Sequence, residues 1–377
     1  MKCSISNIAN VISESIPNPA ESGFDIFVGL EHYDSGEVKV TRYGSTQNLV
    51  TAVKVFRKGD ILLARRNVYL KRAGLVDFDG VTSGDSIVLR VKDDLSSLSL
   101  QSEDIRMYLP FVLNTEEFWN YAEKYSDGTM SKRLSPKTLL QYEFDIPDDV
   151  TEKNRLLWQA YKTKESYKAM ITATDEMVKS QFIEMFGDIK TTSFPVYKLG
   201  EICDIHRGGS PRPISEYITN DPDGLNWIKI GDADEGMYIS HTAEKIKPSG
   251  LNKTRKVYAG DLLLSNSMSF GRPYILRIDG CIHDGWLVLH FNHKNIEAEY
   301  LCSYLSQDST YQELSKLAAG GVVNNLNSEV VKILPTILPP IEEQREYLAV
   351  LHQADKSKFE LKQAIEKIDK VMRALMQ

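Results

Sequence analysis

The sequence predicts an α+β chain in which one domain is written twice in tandem and each copy is followed by one long helix. Three observations support this fold class. A long helical segment occurs twice, a pair of short apolar strands at Gly-Asp and Asp-Gly turns occurs twice, and a helix, a glycine-containing turn and a strand ending at a proline also occur twice. Because an internal duplication dictates architecture, these repeats outrank local conformational preferences.

The helical segment occupies residues 151–187 and, in its second copy, residues 341–377. Neither copy has an internal proline or glycine, both are rich in good helix formers, and both start with polar residues, which together predict helices. With an offset of 194 positions, identical residues coincide: Leu157, Gln159, Ala160, Lys162, Lys164 and Lys168 fall on Leu351, Gln353, Ala354, Lys356, Lys358 and Lys362.

Alternating steps of three and four residues place one narrow apolar seam on each helix, with Lys164 and Lys358 inside the two seams. A seam sustained over more than three heptads is typical of two long helices that lie against each other. At about 1.5 Å per residue, each helix would span roughly 55 Å. The alternative is two ordinary core helices with coincidental similarity. The seam residues are Leu157, Ala160, Tyr167, Ile171 and Val178 in the first helix, and Leu351, Ala354, Leu361, Ile365, Ile368 and Met372 in the second.

The region before each helix is also repeated, which predicts domains at residues 1–150 and 188–340. Segments 56–66 and 257–267 each contain a Gly-Asp turn that leads into a short apolar strand. Segments 78–91 and 278–291 follow, each with an Asp-Gly turn and a strand with Val-Leu at its centre. Further on, Gly128 falls on Gly320, Leu134 on Leu326 and Pro147 on Pro339.

Composition fits a soluble, cytoplasmic protein: 42% of the 377 residues are hydrophobic and 26% are charged. No apolar run is long enough to span a membrane, and the N-terminus lacks the regions of a signal peptide. Four scattered cysteines without a CxxC pair are expected to be free and apolar in role. The formal charge of −7 argues against a protein that coats nucleic acid nonspecifically, although it allows a local basic face.

The motifs of common catalytic centres are missing. The sequence has no P-loop, no GxGxxG after a strand and no HExxH. His290 and His293 are the nearest approach to zinc-ligand spacing, and they are better explained as surface histidines. Asn18-Pro19-Ala20 is the nearest string to an amino-methyltransferase motif, and it fails. We therefore predict no catalytic residue and no metal site in this chain.

Polar loops at equivalent places in the two copies are candidate DNA-reading sites. Arginine can pair with guanine edges, asparagine with adenine, and serine or backbone amides with phosphate. The alternative for either loop alone is a solvated turn. The candidates are Arg65, Arg66, Asn67, Tyr69, Lys71 and Arg72 in the first domain, and Arg207, Ser210, Arg212, Asn266, Ser267, Phe270, Arg272 and Trp286 in the second.

The second half of the chain resembles a target-recognition unit of the type I restriction-modification specificity (S) subunit. The strings that carry the resemblance are LGEICDIHRGGSPRP, NWIKIGDADEG, GDLLLSNSMSFGRPYIL, DGCIHDGW, GGVVNNLNSEVV and LPPIEEQR. The first half is similar to another variant of the family through GLEHYDSGEVKV, FRKGDILLARRNVYLKRAGLVDFDGVTSGDSIVL and DGTMSKRLS. It departs where DDVTEKNR replaces PPIEEQR, at the start of the first long helix.

The resemblance implies a noncatalytic subunit with two target-recognition domains, each reading one half of a split, asymmetric DNA site. It also implies that the two long helices form an antiparallel coiled coil that sets the gap between the half-sites. The implied partners are double-stranded DNA, two modification subunits and the restriction subunit, whose presence the sequence leaves open. This chain is expected to bind no cofactor, because S-adenosylmethionine belongs to the modification subunits and ATP with Mg²⁺ to the restriction subunit.

Two other classes of function remain open at this point. One is a coiled-coil assembly scaffold with degenerate recognition domains, which would bind partners without preferring any DNA sequence. The other is a solitary DNA-modifying enzyme whose motifs have drifted, which would modify DNA without a partner subunit.

Overall fold

The structure is a computed structural model that describes residues 1–19, 22–128, 131–233, 236–266, 270–319 and 326–377. The chain divides into two compact units. Unit 1 comprises Met1–Tyr167 and Gln363–Gln377, and unit 2 comprises Lys168–Lys362.

The first half of the chain alternates short strands with short helices and ends in one long helix. Its strands are β1 (Lys2–Ser4), β2 (Ala9–Ile12), β3 (Ser15–Ile16), β4 (Ile26–Val28), β5 (Gly44–Ser45), β6 (Val53–Phe56), β7 (Ile61–Ala64), β8 (Ala73–Leu75), β9 (Gly80–Thr82), β10 (Ser86–Val91) and β11 (Glu143–Asp145). Its helices are α1 (Ile5–Ile8), α2 (Ser102–Val112), α3 (Glu116–Lys124), α4 (Pro136–Leu140) and the long α5 (Val150–Phe186).

The second half follows the same plan. Its strands are β12 (Val196–Lys198), β13 (Cys203–Arg207), β14 (Ile218–Thr219), β15 (Leu225–Ile228), β16 (Tyr238–Ile239), β17 (Glu244–Ile246), β18 (Arg255–Val257), β19 (Leu262–Ser265), β20 (Pro273–Leu276), β21 (Gly280–Ile282), β22 (Trp286–Phe291) and β23 (Pro335–Ile337). Its helices are α6 (Leu199–Ile202), α7 (Ala298–Leu305), α8 (Asp308–Ala319), α9 (Ser328–Lys332) and the long α10 (Ile341–Met376).

The sheets of the two units share their central strands, although unit 2 adds β16, which runs parallel to β20, and the outer strands of the second sheets differ. Unit 1 has an antiparallel sheet in the order β2-β10-β7-β8, a sheet in the order β3-β6-β9-β4-β5, and the pair β1-β11. Unit 2 has β13-β22-β19-β20-β16, β14-β17-β15-β21-β18 and the pair β12-β23. In both, the second sheet contains one parallel pair: β4 runs parallel to β9, and β15 runs parallel to β21. The predicted duplication of an α+β domain is therefore confirmed.

The Gly-Asp turn of unit 1 explains why this dipeptide starts a strand. Gly59 has a φ of 90°, a left-handed conformation that glycine adopts without steric cost. The carboxylate of Asp60 accepts a hydrogen bond from the Arg57 backbone N–H at 2.8 Å. Asp79, from the Asp-Gly turn, accepts one from the Lys58 N–H at 2.7 Å. The two aspartates thus satisfy backbone donors that the turn leaves without a ladder partner.

Unit 2 repeats this arrangement. Gly260 has a φ of 97°, and Asp261 accepts a hydrogen bond from the Tyr258 N–H at 2.8 Å. Asp279 accepts one from the Ala259 N–H at 2.9 Å. The predicted turns are therefore present in both copies.

Strand β7 shows why the central strands have uninterrupted apolar sequences. Successive side chains of a strand point to opposite faces of the sheet. Ile61 and Leu63 lie in the core beneath helices α2 and α3, whereas Leu62 and Ala64 pack against the second sheet. Strand β19 of unit 2 divides its leucines between two cores in the same way. Both faces of these strands are covered, so they must be apolar at every position.

The two long helices lie side by side in each unit, and they run antiparallel. In unit 1, Leu157 of α5 shares a core with Met372 near the end of α10. In unit 2, Phe182 near the end of α5 shares a core with Tyr347 and Leu351 near the start of α10. Each unit therefore pairs the beginning of one helix with the end of the other, as a coiled coil of the predicted kind requires.

The predicted seam residues are buried or half-buried, while most residues that flank them are exposed. Lys164 forms an ion pair with Asp369 at 2.9 Å in unit 1, and Lys358 forms one with Asp175 at 2.7 Å in unit 2. The offset of 194 positions that relates the two helices relates these two pairs to each other. The predicted domain boundaries remain a prediction, since both long helices are divided between the two compact units.

The expectations about cysteines and membranes can also be compared with the structure. The cysteines at positions 3, 203, 281 and 302 are buried and free, as predicted. Within the described ranges, no helix is both long and apolar enough to cross a membrane. No group of three or more His, Cys, Asp or Glu side chains in those ranges is arranged to hold a metal ion.

Candidate nucleic-acid interface

The loop between β7 and β8 in unit 1 contains six of the predicted site residues and is held in an unusual conformation. Asn67 and Lys71 have φ values of 57° and 48°, in the left-handed region that residues other than glycine rarely adopt. They flank a single 3₁₀ turn whose first side chain, Val68, is buried. Such conformations cost of the order of 1 kcal/mol or more each, so they persist only where surrounding contacts enforce them.

The segment before α4 supplies those contacts. The Asn67 N–H donates to the Lys132 carbonyl at 2.9 Å, and the Asn67 side-chain oxygen accepts from the Ser131 hydroxyl at 3.0 Å. Nε of Arg66 donates to the same hydroxyl at 3.0 Å. Two segments that are distant in the sequence thus form one polar surface.

Asp85 lies at the centre of the charged groups on this surface. Its carboxylate is 3.7 Å from a guanidinium nitrogen of Arg66 and 3.5 Å from one of Arg133. Its backbone carbonyl accepts a hydrogen bond from the Arg65 N–H at 2.9 Å. We call Arg66, Asn67, Ser131, Arg133 and Asp85 the first cluster.

The other candidates in this loop have different surroundings. Tyr69 is 58% exposed, and its ring is therefore available for contact with a partner. Lys71 lines a cavity of about 400 Å³ together with Asn114 and Trp119. Arg72 is half-buried, and its guanidinium donates to the carbonyls of Leu30 at 2.8 Å and Arg66 at 3.3 Å. Burial lowers the pKa of Arg72. The structure thus gives Arg72 the role of holding the loop.

In unit 2, the loop after β13 brings basic side chains to Asp284. Its carboxylate accepts a hydrogen bond from the Ser210 hydroxyl at 2.8 Å and lies 3.7 Å from the Arg212 guanidinium and 2.9 Å from the His283 ring. Nε of Arg207 donates to the Asp284 carbonyl at 3.1 Å. We call Arg207, Ser210, Arg212, His283 and Asp284 the second cluster.

Asp284 is ionised in this setting. Partial burial acts to raise the pKa of its carboxyl, but the Ser210 hydrogen bond and the charges of His283, Arg207 and Arg212 outweigh that effect, and the pKa is lowered. At neutral pH the second cluster therefore holds one carboxylate among two guanidinium groups.

The remaining candidates of unit 2 differ in exposure. Arg272 is exposed, and its backbone N–H donates to the Ser265 hydroxyl at 2.9 Å. Asn266 is buried, and its amide donates to the Asp284 carbonyl at 2.9 Å. Phe270 is half-buried, with its ring edge-to-face with Tyr311 at 5.9 Å. Ser267 lies outside the described residues.

The prediction that Trp286 contacts DNA needs correction. Its side chain is completely buried at the start of β22, where its ring packs edge-to-face with Tyr274 at 5.7 Å. A side chain without exposed surface cannot contact a ligand directly. Trp286 is a core residue, and the sequence pattern misled because it adjoins the polar turn that contains Asp284.

The central aspartates of the two clusters lie in equivalent loops, before β10 and before β22, whereas the arginines come from different segments. The loops after β7 and β19 are also held in the same way. The Leu134 N–H donates to the Arg65 carbonyl at 2.9 Å, and the Leu326 N–H donates to the Asn266 carbonyl at 3.3 Å. Ser131, Arg133, His283 and the two central aspartates were missed as site residues. The first two lie in the string DGTMSKRLS, whose position in the repeat could have identified them.

Comparison with known proteins gives a consistent result. Residues 193–370 match the family model of the type I restriction modification DNA specificity domain. The whole chain is similar in fold to a chain from a structural study of complex assembly and conformational transition of the type I R-M system. The two sequences are 19% identical, the match covers 100% of this chain and 96% of that chain, and the TM-score is 0.60. The chain is also similar to the type I restriction-modification S subunit from M. genitalium, with 14% identity, 100% and 96% covered, and a TM-score of 0.53.

Residues 193–370 are therefore similar to the DNA specificity domain of type I restriction-modification systems. The chain as a whole has the fold of S subunits, and the resemblance drawn from its sequence is confirmed. DNA sequence specificity, the function predicted from that resemblance, is the function that defines this domain family.

Proposed function

We propose that the chain is the noncatalytic specificity subunit of a type I restriction-modification complex and that it reads a bipartite, asymmetric DNA site. The observation that carries the proposal is that each unit presents arginines around an aspartate in an equivalent loop of a repeated scaffold, and that the arginines come from different segments in the two units. The first cluster presents Arg66 and Arg133, and the second presents Arg207 and Arg212. Different side chains on one scaffold suit two half-sites of different sequence.

The chemistry of the clusters supports DNA as the ligand. Guanidinium groups bind phosphate oxygens and the O6 and N7 atoms of guanine, and an exposed tyrosine offers a ring for stacking or sugar contacts. The basic groups are local, since the whole chain has a formal charge of −7. Nonspecific attraction to DNA, which depends on the number of phosphates neutralised, is then confined to these surfaces.

The long helices support a spacer role. Each is 36 or 37 residues long, and half-sites one turn of DNA apart are separated by about 34 Å, which lies within a helix length of roughly 55 Å. We propose that the antiparallel pair sets the gap between the half-sites. The partly buried ion pairs of Lys164 with Asp369 and of Lys358 with Asp175 support one defined helix register.

Apolar residues on the outer faces of the helices support the binding of two modification subunits. Leu156 and Val371 are exposed in unit 1; at the repeat offset, Met177 is exposed in unit 2 and Val350 is half-buried there. Exposed apolar residues on a helix surface favour the docking of a partner. Two equivalent sets suit two copies of one partner.

We propose that these partners carry the chemistry. The modification subunits would bind S-adenosylmethionine and methylate adenine N6, and a restriction subunit would use ATP and Mg²⁺. Target adenines would then be flipped into a partner's pocket. This chain would hold no cofactor itself.

The decisive test is methylome sequencing of a host that expresses this chain with its cognate modification subunit, compared with the same host lacking this chain. We expect a motif of two short blocks around a fixed gap, carrying N6-methyladenine only when the chain is present. A result with no new motif would favour the assembly-scaffold function. Methylation by the purified chain alone would favour a solitary enzyme.

The spacer role has a separate test in which four residues are inserted near Thr174. This lengthens α5 by about 6 Å and should change the gap in the methylated motif. A second variant adds the same insertion near Ile368, the equivalent position, so that the two helices match again. As a control, four residues inserted at Asp223, in an exposed turn, should leave the gap unchanged. An unaltered gap in both helix variants would show that the helices do not set it.

A further inference from the structure

We propose that Asp85 in unit 1 and Asp284 in unit 2 are specificity-determining positioning residues, which orient the arginines of each cluster and weaken binding to DNA of arbitrary sequence. This inference rests on the proposed function and assigns a role to two acidic residues on surfaces otherwise described by their basic groups.

The first observation is their location. When the two copies are aligned with Gly80 on Gly280, Gly84-Asp85 of unit 1 aligns with Asp284-Gly285 of unit 2. The two aspartates are therefore one position out of register, yet both lie in the short loop between equivalent consecutive strands, β9 and β10 in unit 1 and β21 and β22 in unit 2. Each unit thus has a carboxylate at this place, although the aligned residues differ.

The second observation is the geometry around each carboxylate. Asp85 lies within 3.7 Å of two guanidinium groups, and Asp284 lies within 3.7 Å of the Arg212 guanidinium while also accepting the Ser210 hydrogen bond. The aspartate side chains are 30% and 32% exposed, less than the 45% to 79% of the arginines that they pair with. Each carboxylate is therefore a partly sheltered centre with more exposed cations beside it.

Stability alone is a poor explanation for these contacts. Exposed ion pairs contribute about 0 to 1 kcal/mol to the free energy of unfolding. The distances between charged atoms in the two clusters exceed 3 Å, except for the contact of Asp284 with His283. A carboxylate on a surface that faces DNA also repels phosphates and neutralises arginines that would otherwise bind them. Its presence therefore reduces affinity for any DNA.

At the correct DNA sequence, the orientation of the arginines compensates for the reduced affinity. An arginine reads guanine through two parallel hydrogen bonds, which require the guanidinium plane to be directed before contact. A carboxylate 3.5 to 3.7 Å from the guanidinium nitrogens favours one orientation of that plane by electrostatic attraction. The aspartates should then lower binding to arbitrary DNA and raise the ratio of specific to nonspecific binding.

Replacing each aspartate with asparagine tests this inference, because the size is kept and the charge is removed. The full chain in complex with its modification subunits is incubated with a pool of duplexes of randomised sequence, and affinity is measured across a range of salt concentrations. We expect D85N and D284N to bind the pool more tightly, with a salt slope steeper by about 1 as one more phosphate is neutralised. The recovered sequences should show that each variant discriminates between bases about tenfold less in one half-site only.

Two controls separate this role from charge and from folding. Asp93→Asn removes one exposed carboxylate just beyond the opposite end of β10, and it should leave pool affinity and motif unchanged. Asp85→Glu and Asp284→Glu keep the charge and should keep the weak binding to the pool. A merely structural role would lower binding to every duplex in the asparagine variants.

The outcomes distinguish the inference from the proposed function. Asparagine variants whose pool affinity stays unchanged or falls would overturn the inference while the wild-type motif persists. A wild-type complex that recovers no motif would overturn the proposed function, and the inference would fall with it.

Discussion

The two units share a scaffold down to single hydrogen bonds, yet their surfaces are built differently. Gly59 and Gly260 have the same left-handed backbone conformation. Asp60 and Asp261 each accept a hydrogen bond from the backbone N–H three residues earlier. The first cluster is instead held by the segment that contains Ser131. The second depends on the loop after β13.

This difference separates two kinds of constraint. A polar group that satisfies a backbone donor of a turn is repeated, because its hydrogen bond defines the turn that starts the strand. A polar group that faces solvent is free to change, because water can replace its partner. The scaffold and the reading surface of such a domain can therefore vary independently.

One shared position shows how the scaffold itself diverges. The carboxylate of Asp60 is almost fully buried and forms two hydrogen bonds with Arg90, both at 2.7 Å. Asp261 occupies the equivalent place and contacts the ring of His290 at 3.0 Å. A bidentate charged pair in unit 1 thus corresponds to a single contact in unit 2.

The largest effect is expected from removing the buried member of that pair. Asp60→Ala should destabilise unit 1 by about 3 kcal/mol, the lower end of the range for breaking a buried ion pair, since Arg90 is partly exposed. Asp261→Ala should cost less, because one contact is lost instead of two. Hydrogen–deuterium exchange of strands β7 and β19 reports each unit separately. Equal losses in both units would show that the bidentate pair adds nothing to the scaffold.

The next effect concerns DNA and contrasts exposed arginines of the two units. Arg66→Ala and Arg272→Ala should each weaken binding by about 1 to 3 kcal/mol, and each at one half-site only, if the side chain is bidentate to guanine. We expect the same of Arg65→Ala. Affinities are measured by fluorescence anisotropy with duplexes in which one half-site is scrambled.

Arg72→Ala is the matched control for that experiment. Because its guanidinium donates to two carbonyl groups of unit 1, its loss should lower the stability of that unit. Unchanged affinity in the Arg65, Arg66 and Arg272 variants at moderate salt would remove these arginines from the interface.

Sequence reasoning succeeded where the signal was a repeat and failed where it depended on loop conformation. The two copies predicted the seam, the turns and the duplicated domain because spacing alone determines which face of an element is buried. Trp286 was assigned to the surface because no local pattern shows that a residue next to a polar turn begins a covered strand.

The central aspartates were missed for a related reason. Asp85 meets Arg133 only because the segment before α4 folds back onto the loop after β7, and contacts between distant segments have no periodicity in the sequence. The hydrogen bonds of Arg72 were missed in the same way, because its partner Leu30 is 42 residues distant.

The smallest effect should come from the paired helices, and it compares two ion pairs that the duplication makes equivalent. Lys164 and Asp369 are 13% and 33% exposed, whereas Lys358 and Asp175 are 22% and 53% exposed. Burial opposes the charged form of Lys358, but hydrogen bonds to Asp175 and Asp355 outweigh it, and the pKa of Lys358 is raised. Solvent screening should nevertheless make the second pair the weaker one.

A double-mutant cycle measures each coupling free energy directly. We expect about 1 kcal/mol for Lys164→Met with Asp369→Ala, and about half of that for Lys358→Met with Asp175→Ala. The charge-reversed double variant, K164D with D369K, should recover much of the stability lost in either single variant, because the attraction between the helices is restored. Failure to recover any of it would show that Lys164 acts mainly through Glu37, its other partner at 3.6 Å, and that this pair does not help to define the helix register.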